Sequence, residues 1–301
     1  MTPAARSPVV CAIVVTYHPE PHVLRDLLES VVAQVESTVI VDNHSVGSDP
    51  LLAESLNRPS VAVIRNGDNL GLARALNQGI DWARQHAATH VLLLDQDSTP
   101  APDMVRQLLA ALEQLSTDQS VGAVGPTLVA PRSGRRAPFV RFGFPLNPAV
   151  HAGPGDVVRC DFLTTAGSLV PMSVLDRVGG MDESLFIDHV DVEWCFRAAR
   201  GGYRLYGIGG ATMSHRIGDR LISGTRLFVH SPERLYYIMR NRVLLYQLPQ
   251  ISWTWLGQDV LRIPLKFLIF AVLVPRRLQN VRAMTTGLWD GLLGRRGPRT
   301  K

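Results

Sequence analysis

Short, uninterrupted apolar runs alternate with segments of helical period through the first half of the chain. This alternation restricts the fold more than any other feature of the sequence. Val9–Val15, Thr38–Val41, Val61–Ile64, His90–Leu94 and Val121–Val129 read as strands. Between them His22–Gln34, Leu70–His86 and Pro102–Leu115 read as helices, the last with a proline near its first turn. Strands without polar alternation are buried on both faces, and strands separated by helices build βαβ units. The expected fold class is therefore α/β, a mainly parallel sheet flanked by helices. Such sheets bind ligands at the carboxyl ends of their strands. Polar residues stand at three of those ends: Thr16 and Tyr17, Asp42 and Asn43, and Asp95 and Asp97.

The second half is less regular. Pro131–Asp156 is rich in Gly, Pro and Arg and reads as a long loop. Structure resumes at Phe162–Val170, followed by Ser173–Val178, a helix around Val190–Arg200, a strand-like Tyr203–Ile208 and a helix over Pro232–Leu248. With 46% apolar and 19% charged residues the chain can fill a large core. Cys11, Cys160 and Cys195 are far apart and contain no C-x-x-C pair, which argues against a structural zinc site or a disulfide scaffold and fits a reducing compartment. The polar start, Met1 to Pro8, and the short apolar run after it read as a first strand rather than a signal segment. No run reaches the roughly 20 apolar residues of a transmembrane helix.

Asp95-Gln96-Asp97 places two carboxylates two residues apart just past a buried strand. They can reach one hard divalent cation, Mg²⁺ or Mn²⁺, and leave coordination places for a diphosphate. Alone such a triplet reads as a solvated turn; the other polar strand ends weigh against that here. No G-x-x-x-x-G-K-[ST] is present, and Gly207-Ile208-Gly209-Gly210 lacks the last glycine of a dinucleotide fingerprint. In Phe186-Ile187-Asp188-His189-Val190-Asp191-Val192-Glu193-Trp194-Cys195-Phe196-Arg197, helical spacing puts Asp188, Asp191 and Cys195 on one face. Asp191 can act as a general base. The competing reading for these acids is capping of a helix N-terminus, and for Glu193 a surface i,i+4 pair with Arg197. In Met213-Ser214-His215-Arg216, His215 follows a strand-like run and can ligate metal through a neutral imidazole.

Taken in order, Val14-Val15-Thr16-Tyr17, Val41-Asp42-Asn43, Asn66-x-x-Asn69-x-Gly71-x-x-x-Ala75-x-Asn77-x-Gly79, Leu94-Asp95-Gln96-Asp97-Ser98, Asp191-Val192-Glu193-Trp194 and Ser214-His215 resemble the motifs of inverting family-2 glycosyltransferases of the GT-A fold. The Asp-Gln-Asp-Ser run, the Ile187 to Cys195 segment and Tyr237-x-x-x-Arg240-Asn241 resemble the bacterial rhamnosyltransferases within that family. The resemblance spans roughly residues 9–248. It implies that Thr16, Tyr17 and Asp42 line the base and ribose, that Asn69 and Arg74 flank the nucleotide, and that Gln96 belongs to the donor site. It further implies that Asp95 meets the ribose or the metal, that Asp97 is the main metal ligand and that His215 completes the metal site. Asp191 falls at the catalytic base and Trp194 at the acceptor site. Val190 stands where the general family pattern has Glu before Asp, which leaves Asp188, otherwise an acceptor contact, as an alternative base.

From Arg262 to Lys301 nine basic residues face one acid, Asp290. That local +8 leaves −3 on the remainder of a chain whose total is +5. Nucleic acid is therefore not an expected partner. The same stretch is apolar and aromatic: Trp253, Trp255, Ile263, Leu265, Phe267–Phe270 and Val272–Val274. It reads either as an amphipathic helical extension on an anionic membrane or as a helix packed on the domain. The expected organisation is a catalytic domain over residues 1–248 and a basic tail over 249–301, on the cytoplasmic, inner face of the plasma membrane. The expected reaction is transfer of L-rhamnose from dTDP-rhamnose to a cell-envelope glycan or polyprenyl-linked acceptor. Other donors, UDP-galactofuranose or a UDP-hexose, are the alternatives within the family. A nucleotidyltransferase is disfavoured because His18-Pro19-Glu20 supplies no glycine-rich basic loop. A non-catalytic nucleotide-sugar-binding membrane scaffold is the alternative of another class.

Overall fold

A computed structural model describes residues 7–47, 49–55, 57–115, 120–131, 133–215, 220–221 and 228–299. Residues 1–6 of the polar start, Arg216 and Lys301 lie outside the described residues.

Strands β1 (Val10–Thr16), β2 (Ser37–Asp42), β3 (Val61–Arg65) and β4 (His90–Asp95) pair in parallel in the order β3-β2-β1-β4. Every residue of β1 is buried, as a strand covered on both faces requires. Helix α1 (Pro21–Val31) covers one face through Leu24, Leu27, Leu28 and Val31. Helix α3 (Leu72–Gln85) covers the other through Leu76, Gly79, Ile80 and Ala83. Gly79 is where α3 comes closest to the sheet: a Cβ there would sit 2.3 Å from Cγ2 of Ile13. A short helix, α2 (Asp49–Ser55), joins β2 to β3 and has too few apolar positions to announce itself by period.

Beyond β4 the sheet becomes mixed. It contains β5 (Ser98–Pro100), β6 (Val121–Val129), β9 (Val157–Cys160), β10 (Leu169–Pro171) and β11 (Arg204–His215). The order continues β4-β10-β6-β11-β5, with β9 also on β11. Helix α4 (Met104–Gln114) packs over β6 and β11. β10 runs antiparallel to β4 and β6, while β6 and β11 are parallel. Two expectations are corrected here. The segment 131–156 is not wholly loop: β7 (Phe139–Val140) and β8 (Ala149–Val150) pair as a hairpin. In Phe162–Val170, where structure was expected to resume, residues 162–168 turn between β9 and β10, and Gly167 donates its N–H to Leu93 O. β11 is also twice the length expected, continuing past Ile208 through a register shift to His215.

Helix α5 (Met172–Val178) is followed by α6 (Val190–Arg200), preceded by three left-handed residues, Phe186, Asp188 and His189. Asp188 is therefore not on the helix, and the helical face expected for Asp188, Asp191 and Cys195 is replaced by a turn that leads into it. The chain ends in α7 (Pro232–Tyr246), α8 (Trp253–Val272) and α9 (Arg277–Leu292). α9 lies along α7, burying Ala283 and Met284. Tyr236 donates to Asp290 at 2.7 Å across that interface. α8 is the more exposed of the three. Among the described residues no helix is long and apolar enough to cross a membrane.

Candidate active site

A cleft of about 660 Å³ opens at the carboxyl ends of β1 and β4, the position a parallel sheet favours for ligands. β4 ends on Asp95, and the turn through Gln96 and Asp97 enters β5. β5 pairs antiparallel with the end of β11, setting Ser98 opposite His215. This register brings together groups far apart in sequence. His215 Nδ1 lies 3.6 Å from Asp97 Oδ1, and Nε2 lies 3.8 Å from Asp95 Oδ2. One ligand atom from each of the three falls within 4.8 Å of the others, and no other such trio occurs among the described residues.

The trio fits a divalent cation. His215 Nδ1 is buried without a hydrogen-bond partner, which a structural histidine would not leave unsatisfied. Burial pushes the Asp95 carboxyl above its ordinary range; His215 opposes this, Asp97 adds to it and Arg234 opposes it. Two carboxylates and an imidazole at this spacing are compatible with a divalent metal ion. Gln96 fixes the turn: its Oε1 accepts from Tyr17 N at 2.8 Å and its Nε2 donates to Tyr17 O at 3.3 Å.

The residues expected at the nucleotide divide into lining and support. Tyr17, Asn69, Asp95, Gln96 and Asp97 line the cleft. Thr16 and Asp42 do not; both are buried beneath it. Thr16 Oγ1 donates to Asp42 Oδ1 at 2.7 Å, and Ser45 N donates to Asp42 Oδ2 at 2.9 Å. Asp42 is thus consumed in shaping the loop after β2. Asn43 continues the support by donating to Gly71 O at 3.1 Å. Gly71 has φ +86°, and a Cβ there would lie 2.7 Å from Phe186 O. Asn69 accepts from Gly71 N at 3.0 Å. Arg74 is exposed, 4.0 Å from Glu183, and stands outside the cleft.

On the opposite wall are Asp188, His189, Asp191 and Arg234. Asp191 is in the first turn of α6, where the helix dipole favours its charge. Burial outweighs that and raises its carboxyl to about 7; hydrogen bonding to Val192 N at 2.9 Å opposes the shift, and Asp95 and Asp188 reinforce it. A carboxylate poised there is suited to take a proton near neutral pH. Asp188 caps no helix: it pairs with Arg234 at 2.8 Å, and the capping position belongs to His189. Arg234, Thr164 and Thr165 are cleft residues that the sequence did not single out. Arg234 lies within an unremarkable helix, and only the fold brings it to Asp188. Trp194 is in the core rather than the cleft, its Nε1 donating to Gly179 O at 3.0 Å. The Glu193–Arg197 pair forms at 2.6 Å, but Glu193 is 3% exposed, so it is buried and not a surface pair. Arg197 uses its other donors on the carbonyls of Val178 and Gly180.

Comparison with known proteins follows the same lines. The family described as Glycosyl transferase family 2 matches residues 11–159. The chain is 30% identical to the dTDP-rhamnosyl transferase RfbF of Shigella flexneri, over 78% of this chain and 79% of that one. It is 27% identical to the N-acetylglucosaminyl-diphospho-decaprenol L-rhamnosyltransferase of Mycobacterium tuberculosis, over 65% of this chain and 72% of that one. Among solved structures, S. aureus TarS 1–349, also known in complex with UDP-GlcNAc, superposes with TM-score 0.53 at 15% identity, covering 95% of this chain and 92% of that one. GalNAc-T7 with UDP, GalNAc and Mn2+ superposes with TM-score 0.60 at 15% identity, covering 82% of this chain and 53% of that one. These two likenesses concern the fold, which is GT-A.

Proposed function

Because the chain belongs to glycosyltransferase family 2 and is a glycosyltransferase, we propose that it transfers L-rhamnose from dTDP-rhamnose, with inversion, to a cell-envelope glycan or a polyprenyl-linked acceptor. The observation that carries the chemistry is Asp191, raised to about 7 and facing Asp95, Asp97 and His215 in one cleft. The choice of sugar rests on the likeness to the Shigella flexneri enzyme.

Asp97, His215 and Asp95 would hold Mg²⁺ or Mn²⁺, which supplies neutralisation of the negative charge left on the departing diphosphate. Tyr17, Asn69 and Gln96 line the donor side, with Thr16 and Asp42 holding the loop behind it. Arg74 reaches toward the nucleotide from outside the cleft. Asp191 takes the proton from the attacking acceptor hydroxyl, whose oxygen bonds to the anomeric carbon as the sugar–phosphate bond breaks on the opposite side. One displacement inverts the anomeric centre. Asp188, held by Arg234, orients the acceptor, and Trp194 acts behind Asp191 as a positioning residue. In this reading residues 1–248 carry the catalytic site, α9 of the 249–301 extension packs on them along α7, and α8 rests on the inner face of the plasma membrane.

The test is a donor panel. Metal-dependent release of nucleoside diphosphate is measured with dTDP-rhamnose, UDP-galactofuranose and UDP-hexoses, together with thermal stabilisation by each. dTDP-rhamnose is expected to give the fastest release and the largest shift, both removed by EDTA. A UDP sugar ahead of it overturns the donor assignment.

A further inference from the structure

Helix α8 has its polarity reversed. Leu261, Leu265, Leu268 and Val272 follow the i, i+4, i+7, i+11 spacing of one helical stripe, and they are 65%, 57%, 61% and 48% exposed. The opposite stripe, Asp259, Ile263, Lys266 and Phe270, faces α7 and carries two charged residues. A surface helix ordinarily does the opposite, with its apolar stripe inward and its charges in water. The outer stripe therefore calls for an apolar partner, and the inner charges call for partners of their own.

The acids of that neighbourhood are already committed. Asp259 accepts from the Tyr246 hydroxyl at 2.6 Å and lies 3.2 Å from Arg242 Nε. Asp188 is taken by Arg234 at 2.8 Å. Three basic groups remain. Arg242 Nη1 and His189 Nδ1 are buried without a hydrogen-bond partner. Among the described residues Lys266 makes no hydrogen bond or ion pair; its ammonium lies only 6.0 Å from the Phe270 ring. Burial pushes that ammonium down to about 7, with Arg242 adding to the shift and Asp188 and Asp259 opposing it. The buried Arg242 and His189 nitrogens cost free energy unless something pairs with them, whereas the half-buried Lys266 keeps some access to solvent. Of the three, His189 lines the catalytic cleft with Asp188, Arg234 and Asp191; burial keeps its imidazole neutral, and the charges of Arg242 and Lys266 act on it in the same direction.

We propose that Arg242, Lys266 and His189 form an anion subsite for the phosphate or diphosphate that joins an acceptor sugar to its lipid, with the outer stripe of α8 resting on the bilayer that carries it. The proposal rests on the reading of a polyprenyl-linked acceptor given above. One lipid-borne anion answers both halves of the reversed helix: donors on the inner face meet its phosphate, and the bilayer covers the outer face. Exposed Arg262, Arg276 and Arg277 beside the stripe complement the charge of phosphate headgroups.

The experiment uses the full chain and two probes. Inorganic pyrophosphate is titrated calorimetrically in EDTA without nucleotide, which takes the metal trio out of play. Lys266→Met is expected to weaken binding by about tenfold or more, the loss of one charge-assisted hydrogen bond, while Lys266→Arg, which keeps the charge, retains it. Circular dichroism verifies that both variants fold. Equal binding by wild type and Lys266→Met overturns the subsite. Sedimentation then compares phosphatidylcholine vesicles with the same vesicles carrying a long-chain prenyl diphosphate. The doped vesicles are expected to bind selectively, and Leu265→Asp/Leu268→Asp to lose them while still binding pyrophosphate. Pyrophosphate binding without preference for doped vesicles makes free phosphate the ligand and overturns the lipid assignment. Self-association abolished by Leu265→Asp/Leu268→Asp gives the stripe to a second copy of the chain, with the same consequence. Absence of nucleotide-sugar cleavage by the wild type would sink the rhamnosyl-transfer reading alone, because the pyrophosphate assay contains neither donor nor metal.

Discussion

Asp191 is a carboxylate whose site disfavours its charge, and that conflict has measurable consequences. Asp191→Asn is expected to lower kcat by ~10²–10⁴, the usual worth of a positioned base, while donor affinity by titration stays near the wild-type value. Equal loss of donor binding would argue for a role at the donor instead. The base form appears as pH rises through about 7, so kcat/KM in the wild type should fall with decreasing pH below that point. A bound cation shifts the inflection downward by favouring the carboxylate. Stability runs the other way. A carboxyl raised above its unfolded value of 3.8 is fully tolerated below that pH and costs stability as pH climbs through the folded value. Asp191→Asn should therefore melt higher than wild type at pH 8 and much the same at pH 3.5. The sequence showed Asp95, Asp97 and Asp191 because their neighbours carry local patterns, a strand end and a helix start. It could not show that Asp42 is spent on Thr16 and Ser45, or that Arg234 meets Asp188, because nothing local encodes those contacts.

Elements with a strong period were legible and short ones were not. β1, β4 and α3 each announce themselves by apolar spacing, whereas α2 and the β7–β8 hairpin are too short for a period to accumulate. The end of β11 was missed for a different reason. Gly209, Gly210 and Ala211 interrupt the run of large apolar residues just where the strand bends toward β5. Helix α3 also carries a test of packing. Gly79→Val would drive a side chain into Ile13, where even a Cβ would lie at 2.3 Å. Overpacking of this kind costs ~1–3 kcal/mol, so thermal denaturation should show a drop of several degrees. An unchanged midpoint would mean that α3 can move off the sheet. Asn241 on α7 offers a second test, since its amide donates to the carbonyls of Leu185, Ile187 and Asp188 at 2.8–2.9 Å. Asn241→Leu leaves buried carbonyls unsatisfied at ~1–3 kcal/mol for the group and loosens the turn that presents Asp188. The melting temperature should fall, and KM for the acceptor should rise more than KM for the donor.

At the scale of the molecule, the tail is two things rather than one. α9 is packed along α7, and α8 turns its apolar stripe outward. Truncation after residue 248 should therefore expose Leu235 and Met239 of α7 and yield an aggregating protein by light scattering, not a stable domain that has merely lost an anchor. A well-behaved monomer with full activity would contradict that packing. The basic run was visible in the sequence, but its division between a covering helix and an outward-facing one depends on which side of each helix meets α7. The trio at the cleft has a last consequence, for the lifetime of the chain. Asp97 immediately precedes strand β5 and His215 ends strand β11; the two strands meet at the sheet edge after more than a third of the sequence has intervened. A cation shared between them would clasp that edge like a removable rivet. At a hundredfold excess over its dissociation constant it would add ~2.7 kcal/mol to the folded state. Chelation should thus quicken proteolysis of the apo protein, so that metal supply would govern how long each molecule survives as well as how fast it works.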